Sequence, residues 1–331
     1  MPYVAPANNG STGTPDGGVT NFGSLNYADD YQRALEQNFP YVLNYGALYS
    51  TANNNKYRWV NSKTIEIPSI STSGRVDADR DTIAFAQRNY QNAWVAKTLE
   101  NERKWSTLVH PRDIDETNMV ATIANITQVF NEEHKFPEMD AYTISKIYAD
   151  WTAAKNPDTG ETHTADTTVL TTKNILDVFD NLMLAMDNGR VPANGRILYV
   201  THEINKMLKS ADSISRSMDI TSGPNAIDRR VNRLDQVQII GVPSTLMKTL
   251  YEFTEDYKVD DDAEQINMFL VHPTAVITPV SYTFSRLDAP SAMSEGKYVY
   301  YEESFEDVFI LENKSNAIQF NVSDSSGTST N

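Results

Sequence analysis

DIDETNMVATIANITQVFNEEHKFPEMDAYTISKIYADW, residues 113–151, is the stretch around which the chain is organised. Asp115, Glu116 and Thr117 place short polar and acidic side chains where a helix begins. Such groups accept unpaired backbone N–H bonds and suit the positive end of the helix dipole. Met119, Ile123, Ile126 and Phe130 then recur at steps of three and four, one face of an amphipathic helix. His134 and Lys135 are favourable cations near its C-terminal end. Pro137 interrupts the pattern and suits the first turn of a second helix, with Glu138 and Asp140 beside it. Ala141, Ile144, Tyr148 and Trp151 carry that second helix's apolar face. Periodicity alone therefore predicts a pair of helices packed on a globular core.

Upstream, residues 57–112 have strand character at both ends. Ile65 and Ile67 alternate with Thr64 and Glu66, and Pro68 is expected to stop that strand. On the far side Trp105, Thr107 and Val109 alternate with Lys104, Ser106 and Leu108. Between them lies STSGRVDADRDTIAFAQRNYQN, residues 71–92, with too few apolar residues for a core of its own. A two-stranded excursion is marginal in isolation, so it must pack on something. A neighbouring subunit is the natural candidate; the plainer alternative is a surface hairpin with no partner. The mixed charges Arg75, Asp77, Asp79, Arg80, Asp81 and Arg88 would then meet complementary charges on that neighbour.

Downstream, Asn156-Pro157-Asp158-Thr159-Gly160 is a turn cluster. Thr171 or Thr172 is expected to cap a helix with Ile175, Val178, Phe179, Leu182 and Met186 on one face. Asn188-Gly189 is expected to end it in a left-handed residue. Residues 197–200 read as a buried strand, 202–208 as a helix facing in through Ile204, Met207 and Leu208, and 237–240 as a second strand. That alternation suggests an α/β layer. Residues 252–265, with Asp260-Asp261-Asp262, read as a solvated loop. Further strands are expected over 268–271, 275–280, 298–310 and 318–322.

The chain has 331 residues, 40% hydrophobic and 10% aromatic, enough for about two domains with a sizeable core. Residues 1–24, rich in Gly, Asn, Ser, Thr and Pro, read as a flexible arm, and the tail from Ser323 as frayed. The formal net charge of −16 argues against a protein that coats nucleic acid or binds an anionic membrane. With no cysteine, disulfides, thiol nucleophiles and cysteine-ligated zinc are excluded. No apolar run approaches the ~18 residues of a membrane span, and the start has no secretory signal, which points to a cytoplasmic product. The five histidines, His110, His134, His163, His202 and His272, form no zinc motif. His202-Glu203 reads as a detail of a helix start. The aspartates at 260–262 lack the spacing of a calcium loop. No phosphate loop, dinucleotide fingerprint or nucleophile elbow occurs. No catalytic, metal or cofactor-binding residue is expected.

The order and spacing of DIDETN at 113–118, FPEMDAYTISKIY at 136–148, RILYVTHEINKMLK at 196–209, RVNRLDQVQIIGVPSTLM at 230–247 and VYYEESFEDVFILENKSNAI at 299–318 resemble the major capsid protein of tailed bacteriophages, the HK-ninety-seven-like fold. The resemblance spans residues 48–322 and rests on no single motif. It implies an α+β fold: an N-terminal arm over 1–48, an extended E-loop region over 49–112, a peripheral domain with a long spine helix over 113–160, an axial α/β domain over 161–265, and return strands and tail over 266–331. Met119, Ile123, Ile126 and Phe130 would be the buried face of the spine helix, against the C-terminal sheet. The implied function is a self-assembling shell subunit, forming hexamers and pentamers around double-stranded DNA held only non-specifically. A separate scaffolding protein, a portal and decoration proteins are the implied partners; the scaffolding inference rests on the chain's having no long helical pro-region after Met1. Some family members join subunits by Lys–Asn isopeptide links; Lys63 and Lys97 lie in the loop region, where ordinary solvated lysines are the simpler reading. The alternatives are an encapsulin-type compartment, which encloses cargo proteins, and an unrelated α/β enzyme with a long regulatory hairpin.

Overall fold

The computed structural model describes residues 42–75, 88–116, 122–211, 233–254 and 256–323. The chain enters through a short helix, α1 (Gly46–Tyr49), and a 3-10 turn (Ala52–Asn55). Of the arm expected over 1–48 only the end is described, and it is not loose: Tyr45 and Leu48 are fully buried. Asp140, itself fully buried, accepts the backbone N–H groups of Asn44 and Tyr45 at 2.8 and 3.2 Å.

Strands β1 (Arg58–Asn61), β2 (Thr64–Thr72) and β3 (Tyr90–Thr98) form an antiparallel sheet of their own. Contrary to expectation, β2 runs straight through Pro68. β1 pairs only as far as Glu66, so beyond it β2 is an edge, where a residue without an N–H is tolerated. β4 (Glu102–Val109) leaves this sheet and joins another.

The organising stretch differs most from its periodic reading. Asp115 and Glu116 end a separate short helix, α2 (Pro111–Glu116), rather than starting the long one. The cap of α3 (Ile123–Phe130) is Thr122, whose side chain accepts the Asn125 N–H at 3.3 Å. No break follows. A π turn (Asn131–Lys135) leads directly into α4 (Phe136–Ala153), with Asn131 and Lys135 both in helical geometry. The expected pair of helices is thus one rod over residues 123–153. Pro137 has no N–H to donate, and its ring crowds the carbonyl four residues back. Widening the preceding turn, where the Phe136 N–H reaches Asn131 O, absorbs that conflict.

Next come α5 (Ile175–Asn188), β5 (Ile197–Thr201) and α6 (His202–Ser210). The α5 face Ile175, Val178, Phe179, Leu182 and Met186 is buried as the spacing predicts. Asn174 holds the N-cap position, and Thr171 accepts its N–H at 3.3 Å. The helix does not end in a left-handed Gly189, whose φ is −76°; Arg190 takes that conformation at φ 57°.

Strands β6 (Arg233–Leu234), β7 (Val237–Val242), β8 (Tyr251–Glu252), β9 (Lys258–Val259) and β10 (Gln265–Val271) follow. The expected solvated loop therefore contains a small ribbon, β8 with β9. After β11 (Val276–Ile277) come β12 (Val280–Asp288), β13 (Tyr298–Glu306), β14 (Phe309–Ile310) and β15 (Ile318–Ser323).

The central sheet has the order β15-β10-β5-β7-β6, with β5 and β7 parallel. Its strands read as unbroken apolar runs because both faces are covered. Tyr199, Phe269, Val271 and Phe320 face α4 through Ile144, Ile147 and Trp151. Leu198, Val200, Met268 and Leu270 face α5 and α6. Of the strands expected to return to the peripheral domain, β10 lies beside β5 and β15 beside β10, so one sheet joins strands from both sides of the boundary expected at 265/266. A three-stranded sheet, β12-β13-β4, stands apart and carries α3.

Candidate assembly surface

The hairpin β1–β3 is nearly bare. Beyond its base its strands are exposed on both faces, with Ile70 72%, Tyr90 56%, Val60 55% and Trp94 44% exposed. Register puts Trp94, Ile70 and Tyr90 on one face, and the Arg58 guanidinium lies 3.9 Å above the Trp94 ring. Of the six charged residues expected to make contacts, Arg75 and Arg88 are described and exposed; Arg88 lies 5.8 Å over the Tyr90 ring. Asp77, Asp79, Arg80 and Asp81 lie outside the described residues, as does Met119 of the proposed helix face.

The hairpin's base, by contrast, is firmly held. Ile65 and Leu99 pack with Phe305 and Phe309 in a small core. Asp307, 2% exposed, accepts the Glu100 N–H and the Tyr142 hydroxyl at 2.8 Å each, tying hairpin, β13 and α4 together. Lys63 and Lys97 are each answered by a carboxylate, Glu102 at 3.2 Å and Glu312 at 2.7 Å.

Ile123, Ile126 and Phe130 are half-buried, not core. Phe130 stacks on Trp105 of β4 with ring centroids 4.0 Å apart. The fully buried positions of the rod lie in α4: Asp140, Ala141, Thr143 and Ile144, with Ile147 and Trp151 at 1%.

Sequence reasoning missed the charged joint between the rod and the sheet. Arg103 of β4 meets Glu138 at 2.5 Å and donates to Phe253 O at 2.7 Å. Lys135 meets Glu302 of β13, and His134 meets Asp256, both at 2.7 Å. Burial pushes the Glu138 and Glu306 carboxyls up from the ordinary glutamate value. The alternation of β4 and β13 could have indicated which of these residues share a face, but not which helix covers it.

Among the described residues no group of three or more His, Asp or Glu is placed to hold a metal, and no helix is long and apolar enough to cross a membrane. His163 is buried, stacked on Trp151 and 2.9 Å from the Ser315 hydroxyl.

No family model and no curated protein matches the chain. Solved structures do. The capsid of cyanophage P-SCSP1u is 12% identical with a TM-score of 0.65, covering 96% of this chain and 100% of that one. The mature capsid of bacteriophage PhiM1 is 13% identical with a TM-score of 0.65, covering 90% and 92%. The capsid of Helicobacter pylori bacteriophage KHP30 is 12% identical with a TM-score of 0.55, covering 90% and 94%. At such identities the likeness is one of fold, and over nearly its whole length this chain has the mixed helix-and-sheet fold of the chains that build these phage capsids.

Proposed function

We propose that this protein is the major capsid protein of a tailed bacteriophage, assembling through hexamers and pentamers into an icosahedral shell around double-stranded DNA. The observation that carries this is coverage: the match to the cyanophage capsid takes in 96% of this chain and all of that one. The nearly bare hairpin supports it, since a two-stranded projection needs a surface beyond its own to lie on. In the HK-ninety-seven-like scheme that hairpin is the E-loop, the rod over 123–153 the spine helix, and the layer around α5, α6 and β5 the axial domain. A net charge of −16 leaves packaged DNA unattached to the wall. Scaffolding, portal and decoration proteins are the partners this scheme implies, with assembly in the host cytoplasm.

The test is negative-stain microscopy and analytical ultracentrifugation of the purified chain, alone and with a scaffolding protein. Closed shells of uniform size are expected. Monomers at every concentration under both conditions would overturn the reading.

A further inference from the structure

The 3-10 turn that follows β10, Pro273–Ala275, is capped by a histidine. His272 is 8% exposed, and both nitrogens of its ring are used. Nε2 lies 3.1 Å from the Asn194 carbonyl oxygen, which can only accept, so Nε2 carries a proton. Nδ1 accepts the Thr274 backbone N–H at 3.3 Å, a group that can only donate, and lies 2.8 Å from the Thr274 hydroxyl. The partners therefore select the neutral ring in its Nε2–H form. The turn it caps is a junction. Asn53 and Lys314 both donate to the Thr274 carbonyl, at 2.5 and 3.2 Å. Thr51 donates to Val276 O at 3.2 Å, and Asn54 accepts the Thr278 N–H at 3.0 Å. Residues 51–54 thus hang on residues 274–278, and β1 of the hairpin begins shortly after, at Arg58.

We propose that His272 is an acid-released latch: its neutral ring pins the 273–275 turn and, through it, the root of the hairpin, and a proton on Nδ1 lets both go. A proton there points at the Thr274 N–H. The hydroxyl can turn and accept it; the backbone N–H cannot, and loses its acceptor. The surroundings also oppose a second charge. Arg196, 1% exposed, acts on the ring from the position before β5, and Lys314 from the 312–317 turn. Lys56 stands behind Lys314, and Asp187 is already bonded to Arg196 at 2.5 Å. Loss of water holds the ring below the ordinary histidine value of 6.5; the Asn194 bond offsets part of this, and Arg196 and Lys314 add to it. Because the folded value is lowered, the latch is fully engaged above 6.5 and is lost as the pH falls through the folded value. It belongs to one subunit and stands whether or not the shell reading does.

Hydrogen exchange of the full chain between about pH 7.5 and 4.5, corrected for intrinsic rates, tests it on segments 49–57 and 272–278, beside an NMR titration of the His272 imidazole. Each linked proton changes an opening equilibrium up to about tenfold per pH unit. The wild type is expected to open at least about fivefold more at the acid end, and the ring to show the Nε2–H form at neutral pH. His272→Asn keeps an oxygen to accept the Thr274 N–H but has no proton to gain, so it should abolish most of the rise. His163→Gln, which removes the other buried histidine, should keep the wild-type slope. A flat wild-type profile overturns the latch, as does an Nδ1–H ring, a His272→Asn chain that keeps the wild-type slope or a His163→Gln chain that loses it. If His272→Asn does not fold, the wild type decides: a rise that levels off before the imidazole titrates overturns the latch, and one that levels off with it upholds it.

Discussion

A methyl group decides the end of α5. A Cβ added at Gly189 would sit 2.7 Å from the Asn316 Cβ, below any real carbon–carbon contact. Asn316 cannot step aside freely, since it is 7% exposed and donates to Asp158 at 2.6 Å. Gly189→Ala should therefore cost about 1–3 kcal/mol by overpacking, read as a lowered urea midpoint. An unchanged midpoint would mean that the 312–317 turn gives way. A second residue-scale effect concerns His163, whose buried ring is held below the ordinary histidine value of 6.5 by loss of water. The unfolded chain takes the proton first, so this group's contribution to stability falls as the pH drops below 6.5 and through the folded value. NMR titration of its imidazole should give a midpoint under 6.5; one at or above it would contradict the burial.

At the scale of elements, the rod over 123–153 has two unlike halves. Ile144 is fully buried between α4 and the central sheet, whereas Ile123 is half-exposed. Ile144→Ala should cost about 2–5 kcal/mol. Ile123→Ala should cost roughly 1–2 kcal/mol, because half-burial removes about half the apolar area from water. Gln128→Ala, on an exposed position, should be neutral. Equilibrium unfolding of the three variants checks the order; equal losses at Ile123 and Ile144 would reject the division of the rod.

At the scale of the whole molecule, the hairpin has a buried base and a bare outer part, so its two ends should respond oppositely to mutation. Trp94→Ala removes an exposed ring and should change subunit stability by no more than about 0.5 kcal/mol. Under the shell proposal it should nevertheless lower particle yield, because the loss recurs at every subunit. Arg75, Arg80 and Arg88 reversed together to Glu should likewise leave the subunit folded and block shells, although single exposed pairs are worth only about 0–1 kcal/mol. Size-exclusion chromatography with circular dichroism reads both outcomes. Particles of normal size and yield from both variants would remove the hairpin from the contact, and an unfolded monomer would make its outer part integral to the core.

Local periodicity alone determined the apolar faces of α4 and α5 and the buried runs at β5 and β10, because a helix or strand writes its own repeat into neighbouring residues. A shortage of apolar residues marked the bare excursion but not its pairing: the expected far strand, residues 104–109, is β4 and joins β13, while β2 pairs with β3 instead. The tertiary structure decided what depends on residues far apart in the chain. Pro137 reads locally as a helix start, yet packing on the central sheet carries the rod through it by a π turn. Pro68 reads as a strand stop, yet it sits where β1 has ended and no bond is missed. Gly189 reads as a left-handed cap, yet its role is the close approach of Asn316. The charged joint pairs Lys135 with Glu302, 167 residues away. No local repeat encodes such a contact: it exists only once the rod lies on the sheet, where lost water and neighbouring charges set the energy of each group.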